Sequence, residues 1–293
     1  MIKLSELHPI VAGVYFLSVL LTAMFSSHPA LLLTALVGGM AFFFKTAPRT
    51  SHTKELCFYF LLFLLVSLSN PLFSHRGVTP LFYLNNNPIT LEAFLCGIGL
   101  GVMILAVIFW FKCLSAVMTE DKILWIFAKI SPKLALLLSS SLRFIPMLKT
   151  RSEKIREAQK ALGSFSADNW LTKLRLTLCV YSALITWALE SAVETGASMK
   201  ARGYGLKGRT NYSLYRFRLA DAFALAMIAV LSIVTLSAVA SGALSFEYYP
   251  AVTISAQSLH GTLALISFGA LCFLPFILEV KEDLKWKFYR SRI

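Results

Sequence analysis

The sequence predicts an all-α integral membrane protein of about six transmembrane helices, with a cytoplasmic domain of two long crossed helices and a short interfacial helix. Three observations lead there. The first is composition: of 293 residues 57% are hydrophobic and 15% charged, too much apolar surface for a soluble domain. The second is six apolar runs, roughly 10–25, 30–44, 56–73, 93–111, 222–244 and 259–278, close to the ~20 residues that span a bilayer. The third is the placement of basic residues. With the N-terminus inside, only Arg76 of 28 Lys and Arg lies on the outer side.

The N-terminal stretch has the outline of a signal peptide, with Lys3 before an apolar run. Glu6 in the would-be basic region and the lack of a small-x-small cleavage site favour a retained first span. Ser26-Ser27-His28-Pro29 separates the first two runs as a tight helical hairpin. Lys45, Arg49 and Lys54 crowd one inner loop, and Lys281, Lys285, Lys287, Arg290 and Arg292 crowd the C-terminal tail, so both termini are expected in the cytoplasm. The outer loop 74–92 carries Pro80, Pro88 and three consecutive asparagines, which form turns, with Phe82 and Tyr83 suited to headgroup depth. Gly97 and Gly101 form a GxxxG in the fourth run, read as close packing within the chain. The expected divisions are 1–118 (about four spans), 119–218 (cytoplasmic) and 219–293 (about two spans and a basic tail).

The middle segment has a different pattern. Residues 121–130 read as a short helix with Trp125 and Phe127 among lysines, suited to an interface. Ser131-Pro132 then starts a helix able to run to Leu162, with Gly163 as C-cap and Pro146 predicting a kink or break. It turns basic along its length: Arg143, Lys149, Arg151, Lys154, Arg156, Lys160. After a polar turn at 164–168, with Ser166 or Asp168 as N-cap, a second helix extends to about Ala201, ~50 Å at 1.5 Å per residue. Leu171, Leu174, Leu178, Tyr181, Ile185, Ala188 and Ala192 form one apolar stripe. The two helices are read as a crossed pair covering each other's apolar faces. The apolar stretch 176–189 is set aside as a seventh span because its 14 residues are too few and a crossing would reverse the side of all that follows.

Several chemistries find no support. A net charge of +13 invites a nucleic-acid reading, but the charge sits where membrane proteins keep their inner loops. Cys57, Cys96, Cys113, Cys179 and Cys272 lie singly in apolar runs and read as buried small hydrophobes. His8, His28, His52, His75 and His260 have no metal-ligand spacing. Glu190 and Glu194, one turn apart, are expected to pair with nearby lysines or arginines or to edge the apolar stripe. The spans hold almost no ionisable residues, unlike a pump, proton-coupled carrier or intramembrane hydrolase. There is no GxxxxGK[ST] loop, so the chain alone does not hydrolyse ATP. A membrane enzyme gripping lipid headgroups with its basic helix is a rival reading, and a self-sufficient channel or carrier another. The first lacks a cluster of nucleophile, base or metal ligands, and the second lacks polar groups within the spans.

With SLRFIPMLKTRSEKIREAQKALG, MKARGYG and NPLFSHRGVTPLFYLNNNPITLEAF in view, the chain resembles the transmembrane T component of energy-coupling factor (ECF) transporters, the vitamin- and metal-uptake branch of ABC transporters. The resemblance covers nearly the whole chain. It implies a non-catalytic cell-membrane subunit whose two coupling helices each end in an Ala-Arg-Gly-like signature that docks on one of two cytoplasmic ATPases. A small hydrophobic substrate-binding membrane subunit, the S component, would sit beside it, and ATP and Mg would be bound by the ATPases rather than here. The second signature is intact as Ala201, Arg202 and Gly203; the first falls at Ala161, Leu162 and Gly163, with leucine for arginine. Arg156 or Lys160 would substitute there, or the contact would be apolar. An arginine fork at such a tip suits a carboxylate, and small neighbours allow close backbone approach.

Overall fold

A backbone placed in hydrocarbon must satisfy its own hydrogen bonds, and apolar runs of this length do so as helices. The computed structural model describes residues 7–46, 52–74, 77–84, 87–162, 170–206, 215–250, 253–254 and 258–290. In order they form α1 (Pro9–Phe25), α2 (Pro29–Thr46), α3 (His52–Phe73), β1 (Pro80–Leu84), β2 (Asn87–Thr90), α4 (Leu91–Val117) and α5 (Glu120–Ile130). Then follow α6 (Pro132–Ala161), α7 (Trp170–Ala201), α8 (Leu219–Ala240), β3 (Phe246–Glu247), β4 (Thr253–Ile254) and α9 (Leu259–Arg290). The chain forms two compact units, Met1–Ile123 with Tyr215–Ile293, and Leu124–Leu214.

The first unit is a helical bundle of α1, α2, α3, α4, α8 and α9. α1 is its centre: Val11, Tyr15, Phe16 and Val19 are inaccessible, and Tyr15 and Phe16 meet the ring of Trp110 edge-on. The polar atoms of these rings are satisfied by backbone carbonyls. Trp110 Nε1 donates to Ala35 O at 2.9 Å, and the Tyr15 hydroxyl to Leu271 O at 3.0 Å.

Glycines decide how closely the helices approach. A Cβ on Gly38 would stand 2.8 Å from Cys272 Cβ of α9, and one on the next residue, Gly39, 3.1 Å from Trp110 Nε1 of α4. Adjacent glycines thus let α2 lie tight between α9 and α4. Gly97 and Gly101 turn toward α3, where added Cβ atoms would fall 2.3 Å from Ser67 O and 2.8 Å from the Phe63 ring. The GxxxG therefore serves packing within the chain.

Polar contacts sort to the two ends of this bundle. At one end His8 N donates to Asp221 (3.3 Å), Lys45 pairs with Asp283, and Lys112 Nζ lies 2.5 Å from Glu55 while facing the rings of Phe43 and Tyr59. The starts of α1, α3 and α8 therefore share an end with the last turns of α2, α4 and α9. At the other end Tyr248 Oη donates to Ser27 O at 3.3 Å, Ser74 and Tyr249 share a hydroxyl contact at 3.3 Å, and His28 meets Phe246 edge-on.

Some expectations are corrected. Between α3 and α4 lies a two-stranded antiparallel hairpin, β1–β2, pairing Phe82 with Ile89 and Tyr83 with Pro88; a second, β3–β4, follows α8. Cys113 and Cys272 are buried, but Cys57 and Cys179 are exposed, on outward faces of their helices. Among the described residues six helices are long and apolar enough to cross a membrane, making this a multi-pass membrane protein, yet they are α2, α3, α4, α7, α8 and α9. α1, at 17 residues, is shorter, though buried within the bundle, and α7, at 32 residues, is far longer than the 14-residue stretch set aside as a span. Arg76, the one basic residue expected on the outer side, lies outside the described residues.

Two outcomes follow. Gly97→Ala drives a Cβ into the backbone carbonyl of Ser67, which has little freedom to move. The cost is ~1–3 kcal/mol, read as a lower midpoint of thermal unfolding in detergent, whereas Gly269→Ala, with nothing within 4 Å of its Cβ, does not lower the midpoint. His28, in the α1–α2 turn and 8% exposed, has its pKa lowered by burial. A depressed histidine pKa contributes stability that is full above the unfolded value of ~6.5 and lost as pH falls through the folded value. The unfolding midpoint therefore drops as the pH falls from ~6.5 through the folded value, and His28→Gln flattens the dependence.

Candidate functional site

The second unit is built on α6 and α7, which meet over a short stretch rather than along their length. Ser131 precedes α6 in extended conformation with Pro132 at the first turn, as expected, although its side chain makes no capping hydrogen bond. The helix continues through Pro146 without a break. Proline removes one backbone donor there, and the Pro146 carbonyl accepts from Thr150 Oγ1 at 3.0 Å.

The contact between α6 and α7 includes the Arg151 guanidinium, 5.5 Å from the centre of the Trp187 ring. Val180 and Leu184 are the buried residues of α7, and Trp187 and Ser191 continue that side half-buried. The expected stripe does not coincide with it: Leu171, Leu174, Leu178, Tyr181 and Ile185 are exposed, Ile185 by 61%. The seam is offset by one residue, from 181, 185, 188 and 192 to 180, 184, 187 and 191, a rotation of ~100° about the axis. The two helices therefore leave their longest apolar stripe uncovered within this unit instead of hiding it against each other.

The helix ends hold the expected site residues. At the end of α7, Ala201 closes the helix and Arg202 and Gly203 form its cap. Gly203 N donates to Lys200 O at 3.0 Å and Tyr204 N to Met199 O at 3.0 Å, with Gly203 at φ +80°. This is a Schellman cap, whose left-handed position favours glycine. Gly203 was expected as a small tip residue; the structure gives it the further task of ending the helix, which the Gly-Tyr-Gly spacing after Arg202 encodes. Gly205, at φ +101°, turns the chain again, and Leu206 is 75% exposed beside the cap. Arg202 is exposed, and among the described residues no carboxylate pairs with it.

At the end of α6 the arrangement differs. Leu162 caps the helix with φ −78°, its N–H reaching Ala158 O and Lys160 O, and its side chain is 76% exposed. Ala161, Arg156 and Lys160 are exposed around it, and Lys160 sits in the last turn, where a helix C-terminus favours positive charge. Gly163 and the 164–168 turn lie outside the described residues. Each end is thus assembled by its own helix. Glu190 and Glu194 are exposed without an ion pair among those residues, so the expected pairing with neighbouring cations is not seen.

Bundle and helix pair together define a multi-pass α-helical membrane protein with a second unit that presents two basic helix termini. The chain belongs to the CbiQ family, described as cobalt transport protein, whose sequence model matches residues 4–212. Among curated relatives it is similar to the energy-coupling factor transporter transmembrane protein EcfT of Listeria innocua, 44% identical over 102 residues, 34% of this chain and 38% of that protein. It is also similar to the EcfT proteins of Streptococcus equi, at 34% over 103 residues (34% of this chain, 38% of that one), and of Streptococcus thermophilus, at 35% over 121 residues (41% and 45%). The matched stretch thus spans about two fifths of the curated relatives' length.

Replacing Gly203 with alanine forces a Cβ into the left-handed region at a cost of ~1 kcal/mol. The cap should open about fivefold more often, read as faster amide hydrogen exchange at Tyr204, with the middle of α7 unaffected.

Proposed function

We propose that this chain is the transmembrane scaffold and coupling subunit of an ECF-type ABC importer for a vitamin or metal ion. Two ATPases sit on the ends of α6 and α7 in the cytoplasm. Their nucleotide-driven motion passes through these stiff helices to a small hydrophobic substrate-binding subunit, gripped by apolar faces of the spans and of the helix pair. Both termini and the second unit are cytoplasmic in the cell membrane, because the Lys/Arg-rich ends of the bundle helices share one end. On this reading α7 lies against the inner surface and α1 is a true span. Catalysis belongs to the ATPases.

The observation that carries the proposal is the end of α7 in a CbiQ-family chain: an exposed arginine, free of any carboxylate among the described residues, held on a glycine-capped helix terminus. A guanidinium fixed in this way offers a directional fork to a carboxylate on a partner groove.

Arg202→Glu should leave membrane insertion intact and weaken capture of co-expressed ATPases by at least ~30-fold, the lower end of the cost of leaving one member of a buried charge pair alone. Recovery of both ATPases at the wild-type level would refute the role of Arg202. Thiol labelling of Lys173→Cys and Lys207→Cys variants tests the placement of α7. Both should react from the cytoplasmic side, and labelling from opposite sides would make α7 a span.

A further inference from the structure

At the hairpin end of the bundle, α2 and α4 part to leave a partly enclosed cavity of about 220 Å³. Leu32 and Leu33 of α2, Ile98 and Val102 of α4, and Phe246 of the second hairpin form its walls. Gly99 lets Tyr248 close over one side, since a Cβ there would stand 2.5 Å from the Tyr248 oxygen. That hydroxyl is the polar group of the lining side chains, and it already donates to Ser27 O.

We propose that this cavity holds one acyl chain of a phospholipid from the leaflet at the hairpin end. Three observations select that occupant. The walls offer nothing to a charged or hydrogen-bonding ligand, whose polar groups would be left unpaired. The cavity lies between two helices of spanning length, and Leu33 and Leu95 on its lining are exposed, so the medium at its mouth is hydrocarbon. Its volume exceeds the ~150 Å³ of a dry apolar cavity that accepts a benzene ring, so a flexible alkyl segment fits and restores the dispersion contacts an empty void forfeits. The Tyr248–Ser27 contact and His28 mark the polar boundary beside the cavity, where the ester and headgroup of such a lipid come to rest.

The test uses the full chain in phosphatidylglycerol–phosphatidylcholine vesicles doped with a phosphatidylcholine bearing a diazirine in its acyl chain. After irradiation, adducts are mapped by peptide mass spectrometry, with the exposed Phe60 and Phe223 as reference sites for bulk lipid. Adducts should be enriched at Leu32, Leu33, Ile98 and Val102 over those references. Val102→Phe and, independently, Ile98→Trp should bring that labelling down to the reference level while leaving the references unchanged. Labelling of the wild type no denser at the cavity than at Phe60, or insensitive to both substitutions, would overturn the proposal. So would loss of the lipid adducts at these positions when the chain is isolated with its complex.

Discussion

Hydrocarbon gives a charge nothing to bind. An acidic or basic side chain at the middle of a spanning helix costs on the order of 2.5–3.5 kcal/mol by insertion measurements, and this chain is arranged so that the cost seldom arises. The ionisable groups of the bundle helices sit toward helix ends, and several meet a partner there. Glu55 opens α3 against Lys112 near the close of α4, Lys45 ends α2 against Asp283, and Asp221 opens α8 while accepting from the backbone of His8 and Arg218. Each pair ties two helices at the same end, so the rule that keeps charge out of the bilayer also fixes which helix ends come together. Glu92 obeys it at the opposite end, in the first turn of α4, where its carboxylate accepts from the backbone and hydroxyl of Thr79.

Between the two ends little is available to hold the bundle except contact. Lipid tails are as apolar as leucine, so helices in a membrane associate through close packing and a few internal hydrogen bonds. The bundle uses both. Gly38, Gly39, Gly97 and Gly101 remove the side chains that would keep α2 from α9 and α4, and α4 from α3. The space is then filled by the rings of Tyr15, Phe16, Phe42, Phe109 and Trp110, with the indole and one phenol bonded to main-chain carbonyls of neighbouring helices. Steric fit and satisfied donors together make one arrangement preferred over helices sliding in lipid.

How much of this was legible depended on whether the governing physics was local. The bundle helices were readable because a spanning run announces itself by length and composition, and Ser131-Pro132 marked the start of α6 because a proline in the first helical turn is a local signal. The GxxxG of α4 was readable as close packing, while Gly38 and Gly39 were not, since two adjacent glycines serve two different neighbours and show no spacing of their own. The first hairpin was missed because Pro80 and Pro88 argue for turns, and only pairing across the turn makes strands of those segments. The seam of α7 was misplaced by one residue. Periodicity finds an apolar stripe but does not say whether the neighbouring helix or something else covers it, and here Leu184 and Trp187 face α6 while the richer stripe does not. At the site itself, Ala201, Arg202 and Gly203 were found by resemblance, and the Schellman geometry that explains the glycine could have been found from residue types alone.

The two helix ends differ in a way that bears on how force could pass through them. The end of α7 is closed by reciprocal backbone bonds around a left-handed glycine, so Arg202 projects from a turn whose carbonyls are satisfied. The end of α6 stops at Leu162 on a single shared N–H, with an apolar side chain where the other end has a guanidinium. A directional ion pair holds one orientation and is costly to break once desolvated, whereas an exposed leucine gains from burial in any groove of suitable shape. On the proposed reading, then, the α7 end sets the register of its ATPase and the α6 end tolerates sliding. Rigid fixation at one contact with compliance at the other lets two motor subunits close together without tearing either helix from its groove. On that same reading the leucine at position 162 gives the α6 end an apolar, shape-dependent contact, dividing the labour between the two ends.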